Sequence, residues 1–376
     1  MKIAKLLAVL LLVSTAPVWA QATRTFQMGF TAFPPSYDDI GYYRAFTFLS
    51  QHADLVSQPM DYGVPWNEAL KSSDPTTYPQ GLQVMWAYML AREQMFIPNM
   101  NRYVQIQPIN YLYAEIADYW NDSTNQPLPA PWNSYTFNSP QVEAAFLNYA
   151  IAVINYFNPK YLAIGIESNI LLARHPEQWV AYKQFNQFLY SALKALYPNL
   201  MVFPTIQYEH MLGYQAESAY LATLLQNTYP NVLTSEVADL MRFSDAFCIS
   251  TYPYMTAGIT LTASYYDVAH IMAAALNLAV AVDQTGYTSQ NISPQGTLLY
   301  GSPDVQNVFV AFLLSQAYFN HYRFIINYIP IDYGTNYGTS AVSQTWAYTG
   351  LAATDGTAKP ALSTWEAFRA LTYLPD

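Results

Sequence analysis

A single cysteine, Cys248, stands in 376 residues, so no intrachain disulfide can form and a metal site built on several thiolates is excluded. Histidine is nearly as scarce. His52, His175, His210, His270 and His321 include no pair at the helical spacing of metal ligands, and no motif asks for a metal or a cofactor. Charged residues make up only 11%, with Lys+Arg 15 against Asp+Glu 25 and a formal net charge of −10. No Lys/Arg cluster follows a phosphate backbone, which excludes nucleic acid as the expected partner. The hydrophobic share of 52% excludes a disordered chain. No GxGxxG follows the first apolar run: Met28-Gly29-Phe30 leads into Pro34-Pro35, and a dinucleotide-binding fold loses its main support. Nowhere do about 18 uninterrupted apolar residues occur, so no membrane partner is expected once the N-terminal segment is removed.

That segment, residues 1–20, carries Lys2 and Lys5, an apolar run from Leu6 to Val13 and then small residues. The order is that of an export signal, with cleavage sites before Gln21 or Thr23, and it implies a secreted or periplasmic protein. Residues 21–376 then form one domain. Aromatic residues reach 16%, among them 34 tyrosines, and rings with polar edges suit stacking on carbohydrate as well as filling a core.

Along the mature chain, short apolar runs alternate with amphipathic stretches. Strand-like runs lie at Phe26–Thr31, Asp54–Met60, Tyr103–Ile109, Tyr161–Ile166, Met201–Ile206, Ala246–Thr251, Ala279–Val282 and Phe324–Tyr328. Helical patterns include Pro176–Tyr197, Tyr214–Thr228, Ser264–Leu276, Asp304–Asn320 and Ala361–Leu371. Eight buried-type strands alternating with helices predict an α/β fold, a single-domain (β/α)8 TIM barrel rather than an open sheet. In such a barrel the residues at strand C-termini share one face and are the first candidates for function. Those positions hold Asp61 and Trp66 after strand 2, Glu167 and Asn169 after strand 4, and Glu209 and His210 after strand 5. They continue with Tyr252 and Tyr254 after strand 6, Asp283, Gln284 and Tyr287 at strand 7, and Asp332 after strand 8.

Glu167 follows the apolar run Tyr161-Leu-Ala-Ile-Gly-Ile, so it is either a proton donor at the barrel mouth or the cap of the next helix. Asn169 either bonds a sugar hydroxyl or starts that helix. The segment Tyr161-Leu-Ala-Ile-Gly-Ile-Glu-Ser-Asn169 resembles the strand-4 acid/base segment of clan A glycoside hydrolases, and is most similar to that of the endo-β-1,4-galactanase family. Ala279-Val-Ala-Val-Asp-Gln-Thr-Gly-Tyr287 resembles the strand-7 nucleophile segment of the same clan. The closing stretch from Trp346 through Asp355-Gly356 to Lys359-Pro360-Ala361 is similar to the way such enzymes end.

The resemblance implies a retaining glycosidase with Glu167 as acid/base, but the position of the nucleophile holds Gln284, whose amide cannot attack an anomeric carbon. The adjacent Asp283 points away from the mouth if strand alternation holds, unless a bulge re-aims it. Glu209 is the other spare acid, and both read as structural or substrate-positioning ahead of catalytic. Trp66, Tyr252, Tyr287 and Trp346 are placed to stack on a sugar ring, with Asp61, Asn169 and Glu209 as polar contacts. Two functions follow: a glycoside hydrolase acting on a polysaccharide or oligosaccharide, or a carbohydrate-binding barrel that has lost hydrolysis through Gln284.

Overall fold

The computed structural model describes residues 22–214 and 232–375. The export-signal segment and most of the helical pattern Tyr214–Thr228 lie outside the described residues. Strands β1 (Gln27–Thr31), β2 (Leu55–Met60), β3 (Asn101–Ile106), β4 (Tyr161–Ala163), β6 (Ala246–Thr251), β7 (Ala279–Thr285) and β8 (Phe324–Asn327) are all parallel to their neighbours. Between β4 and β6 runs β5, in two halves, Met201–Phe203 paired with β4 and Thr205–Gln207 paired with β6. Pro204 separates the halves, since it has no N–H to give the ladder. The order of pairing therefore runs once around from one half of β5 to the other, and the sheet is a (β/α)8 barrel.

Helices α1 (Asp39–His52), α2 (Gln80–Phe96), α3 (Pro140–Phe157), α4 (Pro176–Leu196), α5 (Thr234–Leu240), α6 (Asp267–Leu276), α7 (Pro303–Phe319) and α8 (Pro360–Arg369) follow the strands in turn. Their starts are written locally: Asp38 and Ser302 accept from backbone N–H groups of the first turns of α1 and α7, and Pro303 occupies the first turn where no N–H is needed. No helix among the described residues is long and apolar enough to cross a membrane. A short two-stranded sheet joins Thr23–Arg24 to Thr372–Tyr373 at the other end of the sequence.

Strand alternation divides the apolar residues into two cores. Val56, Val104, Leu162, Val202, Phe247, Val280 and Ile325 face outward and pack with the helices. The inward set fills the barrel, and its centre is aromatic. Phe324 meets Tyr161 at 4.7 Å, Tyr103 at 5.0 Å and Phe203 at 6.0 Å between ring centroids. Such pairs contribute about 0.5–1.5 kcal/mol each beyond the area they bury. Gly29 makes the room, because a Cβ there would lie 2.1 Å from the Leu55 carbonyl oxygen and 2.9 Å from the Ile326 side chain. Above this plug the inward positions turn polar, with Thr31, Ser57, Gln105, Thr205, Ser250 and Asp283 all buried. That polar layer is the floor of the site.

Candidate active site

A cleft of ≈ 290 Å³ opens at the C-terminal ends of the strands, lined among others by Asp61, Gln107, Tyr113, Glu167, Gln284 and Trp346. Glu167 is held there by a strand that ends early. Strand β4 stops at Ala163, short of Ile166, and Gly165 beyond it passes tightly beside Tyr182, whose hydroxyl oxygen would be 2.2 Å from a Cβ on that glycine. The freed backbone is pinned on both sides. Thr205 receives the Glu167 N–H on its Oγ1 at 2.9 Å and the Ser168 N–H on its carbonyl at 2.9 Å, while the Gln107 amide both donates to and accepts from the Ile166 backbone. Glu167 itself adopts φ +48°, a left-handed conformation that costs energy for a residue with a side chain and here aims the carboxyl into the cleft lining.

Burial pushes the Glu167 carboxyl up to about 6, with the Glu209 charge adding to the rise and the hydroxyls of Ser250 and Tyr113 pulling back. Ser250 Oγ donates directly to Glu167 Oε1. A carboxyl in this range holds its proton at mildly acidic pH and can give it to a leaving oxygen.

Gln284 lines the cleft, and Asp283 lies beneath it. Strand β7 carries a bulge: Ile249 pairs with Val282 but Ser250 with Gln284, and Ile325 pairs with Val282 but Asn327 with Thr285. One extra residue sits on β7, so the side chains of Asp283 and Gln284 both turn to the inner side. Asp283 is fully buried, and neither carboxyl oxygen has a hydrogen-bond partner. Burial raises its pKa well above the ordinary carboxylate range, and the Glu167 charge raises it further.

The remaining sequence candidates divide. Tyr252 and Trp346 line the cleft, and Tyr252 OH and Trp346 Nε1 are buried polar atoms without a partner, as is Oε1 of the cleft-lining Gln105. Such atoms gain free energy from any hydroxyl that reaches them. Asp61 lines the cleft at an exposed position, and the protein crowding around it raises its carboxyl pKa.

Trp66 is a correction: it is fully buried, stacked on Trp132 at 5.2 Å, with Nε1 donating to the Ala117 carbonyl. Asn169 is likewise buried, and its amide bonds both backbone groups of Gln207, leaving nothing for a sugar. Glu209 accepts from Thr251, Tyr265, the Gln207 amide and the Tyr252 N–H, so it braces two cleft-lining residues from behind. His210 is buried beside it and donates its N–H to Gln207 Oε1. Tyr287 packs between Tyr254 and Phe309 outside the cleft lining. Asp332 follows β8 at the same end of the barrel but is buried in an ion pair with Lys359 at 2.7 Å. Gln107, at the end of the strand-3 run and so a sequence candidate, is in the surroundings of Glu167, while Ser250, Tyr113 and Tyr328 complete them without having been singled out from the sequence. Of these, only Ser250 had a signal, being in phase with the inward Ala246 and Cys248.

No protein-family model matches the sequence, and no curated protein matches it. Solved structures do match the fold. An exo-β-1,4-mannosidase from Opitutaceae bacterium strain TAV5 superposes with a TM-score of 0.60 at 10% identity over 95% of this chain. This chain spans 63% of the length of that mannosidase. A Bifidobacterium longum protein solved in complex with Manβ1-4GlcNAc gives 0.59 at 13% identity, over 93% of this chain and 80% of that one. A structure of fungal β-1,4-galactanases gives 0.52 at 14% identity, over 91% and 94%. The likeness establishes the barrel.

Proposed function

We propose that the cleft takes an oligosaccharide and that Glu167 is the proton donor for cleavage of its glycosidic bond. The observation that carries this is a carboxyl with its pKa raised to about 6, at the end of β4, in a cleft lined by aromatic rings and amides. Below that pH the protonated Glu167 gives its hydrogen to the glycosidic oxygen as the bond to the anomeric carbon breaks. Gln284 offers no carboxylate to trap that carbon. Asp61 is the other carboxyl that lines the cleft, and we assign to it the activation of water: it takes one water proton while the hydroxide oxygen bonds the anomeric carbon. The scheme inverts the configuration of the sugar. Tyr252, Trp346 and Gln105 supply free polar atoms for its hydroxyls. The order of residues 1–20, basic, apolar and then small, supports export of the protein to the carbohydrate it acts on.

A second reading, a barrel that binds the sugar and leaves it intact, is favoured by Gln284 alone. Incubating the protein lacking residues 1–20 with a panel of β-linked oligosaccharides, and following both binding and product anomer, separates the two. Inverted product supports hydrolysis through Glu167 and Asp61. Binding without product supports the second reading, and no binding defeats both.

A further inference from the structure

A larger cavity, ≈ 410 Å³, adjoins the Glu167 cleft, and Pro59 lines both. Its wall comes from the β1 end, α1 and α2, and its rim is aromatic: Tyr37, Tyr62 and Tyr88 are 66%, 38% and 60% exposed. Among all its lining residues Arg92 alone carries a charge. The Arg92 guanidinium lies 3.5 Å above the Tyr42 ring and 5.7 Å from that of Tyr88. Among the described residues no carboxylate or hydrogen-bond acceptor meets it. The adjacent acid, Glu93, turns inward instead and is taken by Arg102 and the Gln58 amide. Arg24, Arg102 and Arg369, by contrast, are all ion-paired.

An arginine lying against one tyrosine ring and near a second, with its fork of donors unspent, is prepared for a planar or tetrahedral anion. Exposed tyrosine faces around it suit a pyranose ring. We infer that this groove is an extension of the sugar-binding cleft that takes an anionic sugar, its carboxylate or sulfate ester meeting Arg92. The inference rests on the proposed carbohydrate function of the Glu167 cleft. It predicts that the preferred oligosaccharide carries negative charge even though the chain as a whole is acidic, because the groove has no acidic lining residue to oppose it.

The test is titration calorimetry with three tetrasaccharides, neutral β-1,4-galactotetraose, a galacturonate tetramer and a sulfated galactan tetramer. The proteins compared are the wild type, Arg92→Gln and Arg92→Lys, with melting curves to verify folding. The wild type binds one of the anionic tetramers about tenfold or more tighter than the neutral one, a difference one charge-assisted bidentate contact supplies. Which tetramer it is distinguishes carboxylate from sulfate. Arg92→Gln removes that preference without weakening the neutral sugar more than about twofold, and Arg92→Lys, which keeps the charge but loses the fork, falls between. Equal binding of neutral and anionic tetramers, or an anionic preference that survives Arg92→Gln, overturns the inference and leaves the carbohydrate function standing. Absence of binding for all three tetramers overturns the inference, and the panel of β-linked oligosaccharides decides separately on the carbohydrate function.

Discussion

Asp283 and Gln284 are consecutive on one strand, yet both side chains turn inward, Gln284 to the cleft lining and Asp283 to the closed interior beneath it. The bulge therefore puts an amide in the cleft lining and hides the neighbouring carboxyl beneath it. Burial and the nearby Glu167 charge raise the Asp283 pKa well above the ordinary carboxylate range and favour its protonated form.

Asp283→Asn tests that protonation. A carboxyl whose folded pKa is raised contributes stability that is fully present below its unfolded value, near about 4, and is lost as pH rises. Asn cannot titrate, so the variant melts at a higher temperature than the wild type at pH 7, and the gap narrows as pH falls toward about 4. Thermal melts across that range check it, and rates of sugar cleavage stay close to wild type.

Ser250→Ala removes the hydroxyl that stabilises ionised Glu167. The Glu167 pKa then rises by about one to two units, since a hydrogen bond to a charged group is worth about 1.5–3 kcal/mol. In the pH profile of hydrolysis the loss of rate on the alkaline side moves upward by the same amount. An unshifted profile assigns that limb to another group.

Gln284→Glu changes charge far more than shape. The new carboxylate lines the cleft with Glu167, and repulsion raises one of the two pKa values, which favours a protonated acid beside an ionised nucleophile. The variant gains activity, and its product retains the anomeric configuration where the wild type inverts it. Proton NMR of the first-formed sugar reads the difference directly.

The eight strands were legible because barrel strands are buried on both faces and read as short, largely apolar runs, and the observed β6 matches Ala246–Thr251 residue for residue. Glu167 was legible for the same reason, as the first acid after such a run. Trp66 was not, because a tryptophan after a strand looks the same in sequence whether it faces the cleft or Trp132. Asn169 was hidden by its partner, the Gln207 backbone, 38 residues further along the chain. The bulge at Asp283 has no mark in Ala279-Val-Ala-Val-Asp-Gln-Thr285, and it is seen only in the pairing with β6 and β8. The close approach of Gly165 to Tyr182, a contact set by α4, has no mark in the run before Glu167 either.

The central claim is that Glu167 gives the proton in this cleft, and it is tested by product release from a bound oligosaccharide as a function of pH in the wild type and in Glu167→Gln. The predicted wild-type rate falls as pH rises through about 6, where Glu167 loses its proton. Glu167→Gln still binds the sugar but releases product about 10²–10⁴ times more slowly below about pH 6, and the gap narrows at higher pH because its amide does not titrate. Equal release by the two proteins contradicts the claim.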